Sequence, residues 1–537
     1  MNNQLFEQPT INTSQEQFSN IASVDTPRSR FSRNHDTLTT FDNGKVIPIL
    51  VDEILPGDTV EMTVNGFVRL ATPLRPLFHR IDLDVFAFFC PCRLTWDNWE
   101  KFMGERTDPA DDPDLYSIPQ LEKTMGTTAP TAADLDLWHY MGLPYVCNSG
   151  TPTLSVNALP FRALALVWNQ WFRDENIQDS INVSTGDTVT TWPSTEIVDL
   201  QPRNKKKDYF SSCLPWPQKG DAAAIPLGNT AYVKYDVFSG ATTHDDAFVV
   251  ADPATSAYEW NYGATQGTDT GQIPGTTRSN LYADLSNAST ITVNTLRDSI
   301  TMQQFLERDA RGGTRYIELI LSHFGVQSSD SRLQRTELLG YGTGVIQINP
   351  IAQTSESGTT PQANLSAVGV GSVQMRFTKA FEEHGYLLVV TSARTDLVYQ
   401  RAINKLWLRD SRFDFPWPEF SHLGEQAVQN QELHYTGTAT DTATFGYQER
   451  YAEIRYKPSM VTGLFNSDCS SPLDVYHLAE DFGATVPALN SSFVQESAPL
   501  SRVNAVATEP DFIGMFNFDY DHTRCFPIYS VPGLETV

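Results

Sequence analysis

The stretch HRIDLDVFAFFCP, from His79 to Pro91, constrains the fold more than any other part of this 537-residue chain. Ile81, Leu83, Val85, Ala87 and Phe89 alternate with other residues before the run becomes wholly apolar, which predicts a strand buried first on one face and then on both. Such a strand needs a covering layer on each side. Just upstream, Val60, Met62 and Val64 share one face of a period-two run that follows a Pro56-Gly57 turn. Strands resume far downstream, at 372–377, 385–394 and 449–465, and residues 516–533 read as aromatic coil.

Helical patterns punctuate this β frame without alternating regularly with it, which argues against βαβ units. Residues 95–104 set Trp96, Trp99, Phe102 and Met103 on one stripe, from a Thr95 cap to Gly104. Residues 157–177 carry the strongest pattern, with Pro160 in the first turn and Phe161, Leu164, Ala165, Trp168 and Phe172 at helical spacing. Two more helices are predicted at about 295–311, ending at Gly312-Gly313, and at 314–325, between Thr314 and Gly325. Early strands, late strands and a long insertion between them predict sheet neighbours distant in sequence, as in a two-sheet antiparallel jelly roll. The expected organisation is an N-terminal arm (1–44), a first part of the roll with helical insertions (45–220), a β- and loop-rich surface insertion (221–294), and a second part with a C-terminal arm (295–537). The insertion holds Lys234 and Arg278 against eight acidic residues between Asp221 and Thr290.

Only 19% of residues are charged, yet 64 acidic and 38 basic side chains leave a net charge of −26. That balance excludes a generic nucleic-acid coat, because phosphate binding is driven by Lys and Arg releasing counterions. Any nucleic-acid contact must be local. The N-terminal residues lack the basic and apolar regions of a secretion signal, and apolar stretches such as Tyr386–Val390 fall far short of the ~20 residues of a membrane span. No membrane insertion is expected. Six cysteines are sparse and irregularly spaced, as free thiols in a reducing compartment would be.

No GxSxG, Walker, HExxH or EF-hand motif occurs, and no catalytic site or cofactor is expected. Cys90-Pro91-Cys92 lacks a second ligand pair and reads as buried thiols at a strand end; the metal question stays open. His244-Asp245-Asp246 and Asp519-Tyr520-Asp521-His522 bring carboxylates near imidazoles, but each reads as a solvated loop. Gly340-Tyr341-Gly342-Thr343-Gly344 lacks phosphate-loop spacing and reads as a flexible loop. Two basic clusters stand out: Arg28, Arg30 and Arg33 around Phe31, and Arg203, Lys205, Lys206 and Lys207 before Tyr209. Cations beside an aromatic face can grip single-stranded DNA. A solvated loop or a subunit–subunit salt contact is the equal alternative. In the insertion, Tyr258, Trp260 and Tyr262 alternate with other residues, which suits sugar stacking or a half-buried strand.

Four blocks, at 28–59, 78–105, 159–176 and 312–340, together resemble in order the major capsid protein of the Microviridae, closest to the gokushovirus group. The resemblance implies a mainly β chain, an eight-stranded antiparallel jelly roll of viral capsid type with large loop insertions and several short helices. It further implies a tailless icosahedral (T=1) bacteriophage shell of about sixty subunits closed by symmetry. The cargo would be a circular single-stranded DNA genome. Implied partners are further copies of the chain, a small basic DNA-binding packaging protein, a scaffolding protein, a pilot protein and a bacterial surface receptor such as a glycan. Assembly is expected in the host bacterial cytoplasm. On this reading the basic clusters are candidate DNA contacts, and Tyr258, Trp260 and Tyr262 candidate host-attachment residues. The competing class is a carbohydrate-binding jelly-roll lectin or a glycosidase, suggested by ten Trp and many carboxylates.

Overall fold

A computed structural model describes residues 28–529 apart from 106–112, 132–133, 148–149, 194–198, 224–231, 236–280, 285–292, 312–317, 319–320, 323–333, 357, 359–361 and 507–508. The chain divides into two units, residues 1–216 with 314–537, and residues 217–313.

Nine strands of the first unit form one antiparallel sheet: β1 (Ser29–Ser32), β2 (His35–Phe41), β3 (Ile47–Ile54), β4 (Thr59–Leu70), β5 (Ile81–Pro91), β6 (Glu337–Ala352), β7 (Leu365–Ala380), β8 (Gly385–Thr395) and β9 (Phe512–Arg524). Their order is β1-β9-β4-β7-β6-β5-β8-β3, and β2 also pairs with β9. Because β1 and β2 occupy successive stretches of the same β9 edge, they act as one interrupted strand, which makes the count eight. Strand β6 serves both halves: Glu337–Val345 pairs with β5, and Ile346–Ala352 pairs with β7. The sheet thus folds into two facing layers, β1/β2-β9-β4-β7 and β6-β5-β8-β3. That is the jelly roll expected from the strand spacing.

The two layers enclose the main core. Val60, Met62 and Val64 of β4, with Phe512, Phe516, Phe518 and Tyr520 of β9, face Ile81, Leu83, Val85, Ala87 and Phe89 of β5. Each Val, Leu, Ile, Met or Phe side chain so buried contributes roughly 1.5–3 kcal/mol. The opposite face of β5 and β8, through Phe88, Cys90, Leu388 and Val390, packs on helix α1 (Leu159–Val167) and a π-turn at Trp168–Phe172. This is the double covering that the wholly apolar end of the strand requires. Helix α1 is buried nearly all round instead of along one stripe; its Arg162 satisfies the Thr95 and Gly186 carbonyls at 3.2 and 3.0 Å. A third core gathers Tyr209, Phe210, Tyr399, Leu433, Phe445 and Phe493 from loops, from the short helices Asn430–Leu433 and Ser491–Val494, and from Thr444–Glu449, which pairs with Glu425–Gln429.

Several expectations differ from the structure. Gly340–Gly344 is not a loop but the middle of β6, where a Cβ on Gly342 or Gly344 would stand 2.3 or 2.0 Å from a backbone carbonyl of β7. Glycine is needed there because two backbones approach closely as the strand passes between layers. Residues 512–524, part of which reads as coil, form β9, and residues 29–41, assigned to the arm, form its partners. Residues 449–465 end β-structure after Glu449 and break into short 3-10 turns, with Tyr451 at φ +60° and Pro458 following. The stripe at 95–104 yields a single helical turn, Trp99–Phe102. Only residues 318, 321 and 322 of the helix expected at 314–325 are described, all three helical.

In the second unit, Tyr232–Tyr235 pairs antiparallel with Leu281–Asp284, and helix α2 spans Val293–Arg311. The α2 side chain Gln303 bonds to Gln218 and accepts from the Ala223 backbone N–H. Tyr258, Trp260, Tyr262 and the His244–Asp246 cluster lie outside the described residues.

Candidate nucleic-acid interface and assembly surface

The edge strand β1 carries the first basic cluster. Alternation along β1 exposes Arg30 and half-buries Phe31. Arg30 pairs with Asp521 on β9 and lies 3.9 Å from Glu61 on β4, which also takes Arg376 at 2.6 Å. Arg33 grips both oxygens of Asp52 on β3 and lies 5.1 Å above the Tyr520 ring. Arg28 is exposed at the start of the described chain.

Arg33 belongs to a buried network that sequence reasoning assigned to solvent. His522, fully buried on β9, donates from Nε2 to Asp58 at 2.8 Å, and its Nδ1 accepts from Arg33 at 3.2 Å. The Tyr520 hydroxyl donates to Asp52 at 2.7 Å, and Arg524 donates to Asp58 at 3.1 Å. Burial holds the His522 pKa below the ordinary imidazole value, with the neighbouring Arg524 cation acting the same way. Asp58 also closes the turn between β3 and β4, where Gly57 has φ +85° and the Asp58 N–H donates to the Leu55 carbonyl. The network therefore fastens the last strand to both edges of the roll. The signal available in the sequence was the alternation Phe516, Phe518, Tyr520, His522.

The second basic cluster is turned inward. Arg203 lies between the rings of Phe86 and Phe172, at 5.2 and 4.8 Å, and 3.8 Å from Asp84. Burial, then the nearby Arg394, pulls its pKa down to about 9. Lys205 pairs with Glu480 at 2.7 Å, its side chain 1% exposed, with Phe493 below the ammonium. Lys206 bridges Asp82 and Asp396, and Lys207 pairs with Asp174 while its side chain stays 58% exposed. The expectation that Arg203 and Lys205 contact DNA is corrected: burial leaves neither cation a face for a phosphate. Lys206 is committed to two carboxylates. Cys90 and Cys92 are both buried, with burial raising the Cys92 thiol to about 12. Among the described residues no group of three metal-ligating side chains converges.

The exposed surface is of another kind. The register aligns Leu38, Met515 and Phe67 across β2, β9 and β4, and all three point outward and are exposed. Leu406, Trp407, Phe413, Phe415, Trp417 and Ile454 are exposed as well. Monomeric proteins rarely leave such contiguous apolar surface uncovered.

A family model described as "Capsid protein (F protein)" matches residues 19–534. This chain belongs to that family. The capsid protein VP1 of Bdellovibrio phage phiMH2K is 43% identical, with 97% of this chain and 98% of the relative covered. The VP1 proteins of Chlamydia phage 1 and Spiroplasma virus 4 are 37% and 32% identical, with 97% and 95% of this chain and 98% and 96% of each relative covered. The resemblance to Microviridae capsid proteins thus extends through the whole chain, and the protein is a phage major capsid protein, a structural component of the virion and not an enzyme. The lectin or glycosidase reading is set aside on the same ground. Outward apolar rows fit a capsid protein, whose surface is completed by copies of itself. No helix among the described residues is long and apolar enough to cross a membrane.

Proposed function

We propose that the capsid protein closes into a T=1 shell of about sixty copies around a circular single-stranded DNA genome, through heterologous contacts that form closed rings. The observation carrying this reading is the family match over residues 19–534, with a jelly roll that leaves apolar rows such as Leu38–Met515–Phe67 facing outward. Many modest contacts, each weak alone, are strengthened by closure.

At a net charge of −26 per chain, the shell would carry on the order of 1,500 negative charges, so its net field opposes an enclosed polyanion. A small basic packaging protein is the simplest remedy. Scaffolding and pilot proteins, assembly in the bacterial cytoplasm, and receptor attachment through the 221–294 insertion with Tyr258, Trp260 and Tyr262 belong to the same proposal. Of the sequence clusters, Arg28, Arg30 with Phe31, Arg33 and Lys207 keep enough exposure to meet DNA, and of these Arg30, Arg33 and Lys207 are each also paired with a carboxylate. Electron microscopy of the expressed chain and of native particles tests the proposal. Uniform closed shells, with nuclease-protected single-stranded DNA in the native ones, are expected. A chain that stays monomeric at high concentration and occurs in no particle would refute it.

A further inference from the structure

Most of the cations that the sequence makes conspicuous are matched by carboxylates, whereas a less conspicuous set is matched only in part. Around a cavity of about 300 Å³ stand Arg409, Arg455 and Lys457 with one carboxylate, Glu453, and the aliphatic walls Leu406 and Ile454. Arg409 lies 3.7 Å from Glu453, and its Nε–H has no hydrogen-bond acceptor among the described residues. Arg455 pairs with Glu449, while Lys457 has no ion pair among the described residues. The three cations at the cavity thus meet two carboxylates, Glu453 and Glu449, and Lys457 carries the excess positive charge in a chain whose overall balance is strongly acidic.

Exposed aromatic rings stand in the same stretch of chain as Leu406 and Arg409. Trp407, next to Leu406, is 77% exposed, and Phe413 and Phe415 are exposed as well. Arg409 lies over Phe415 at 5.4 Å and Arg412 over Trp417 at 5.2 Å, while the Trp417 backbone N–H donates to the Tyr451 hydroxyl. The segments 404–417 and 451–457 thus meet at this cavity and carry exposed π-faces and cations, while the unsatisfied Arg409 Nε–H lies buried behind them.

From this geometry we infer that the 404–417 and 451–457 surface is a binding site for single-stranded DNA, with a phosphate held in the cavity by Arg409, Arg455 and Lys457 and a base stacked on Trp407. An occupant must be both anionic and rich in flat rings, and an unpaired strand is both. A duplex hides its base faces, so Trp407 would have nothing to stack on. As applied to the virion, the inference rests on the genome enclosure proposed above.

Two measurements on the full-length chain test it, together with one on native particles. In titrations with a fluorescent oligo-dT, Trp407→Ala should weaken binding about tenfold, within the range for one lost base stack. Lys457→Gln should lower the slope of log affinity against log salt by about 0.7, the value for one phosphate contact on a single strand. Ultraviolet cross-linking of native particles should place nucleotide adducts within 404–417 or 451–457. Particles that hold DNA but give adducts only elsewhere would overturn the site. So would a Trp407→Ala chain that fails to assemble yet binds oligo-dT like the parent, because the patch would then be a contact between copies. Particles without single-stranded DNA, beside a chain whose oligo-dT binding still depends on Trp407, would refute genome enclosure and leave the site standing.

Discussion

Replacing Lys205 with Met separates an internal staple from a genome contact. Lys205 and Glu480 meet at 2.7 Å with side-chain exposures of 1% and 7%, so the substitution strands a carboxylate in the interior. Breaking a buried pair from one side costs about 3–5 kcal/mol. Spread over the unfolding entropy of a unit of roughly 400 residues or more, that lowers Tm by roughly 4 °C. The assay is thermal unfolding of the unassembled chain, before any shell or DNA is involved. Burial already raises the Glu480 pKa, and losing Lys205, which lowers it, raises it further.

A group whose folded pKa lies above its unfolded value is favoured at low pH and loses that advantage as pH rises through the folded pKa. The Met variant should therefore fall furthest behind the parent at alkaline pH and recover on acidification. Adding Glu480→Leu should restore most of the lost stability, because no uncompensated charge then remains. A Lys205→Met chain with the parent's Tm, forming shells that lack DNA, would refute the staple and return Lys205 to the genome.

Three further outcomes are expected. Gly344→Ala places a Cβ 2.0 Å from the Ser372 carbonyl and should cost about 3 kcal/mol or more, read as lost soluble chain, whereas Gly358→Ala, with open space around it, should be neutral. Because burial lowers the folded pKa of His522, its contribution is present above the unfolded value near 6.5 and is lost as pH falls through the folded pKa; His522→Gln should flatten the Tm profile on the acid side of about pH 6.5. A thiol reagent on the native chain should label Cys147, Cys469 and Cys525 first, and reach Cys90, Cys92 and Cys213 only on unfolding, since those three are buried with raised pKa values.

What could be read from the residues in advance was local. The alternation at Ile81–Phe89 and at Val60–Val64 identifies strands and their inward faces, because each residue's environment follows from the pleat. Strand β9 escaped because its partners, β1, β2 and β4, lie at the opposite end of the chain, and Asp519 and Asp521 at its outward positions read as loop. The basic clusters were visible as charges and invisible as pairs: Asp82, Asp84 and Glu480, which neutralise Lys206, Arg203 and Lys205, come from other strands and loops. The same pairing of cation and ring that drew attention to Arg28–Arg33 stands in residues 405–417, where the intervening Asp410 and Asp414 masked it. Asp414 is occupied with the backbone N–H groups of Asp410 and Ser411.

The position of β9 between the first strands and β4 has a consequence for manufacture. Until the ribosome has added residues 512–524, about 440 positions after β4, that strand keeps an open flank and Phe512, Phe516, Phe518 and Tyr520 are missing from the main core. At bacterial elongation rates of about 5–20 residues per second, that gap lasts tens of seconds for each copy. A chain terminated before residue 512 can never fill it, so the keystone doubles as a checkpoint: only polypeptides that carry β9 acquire the rigid wall from which a container can be built.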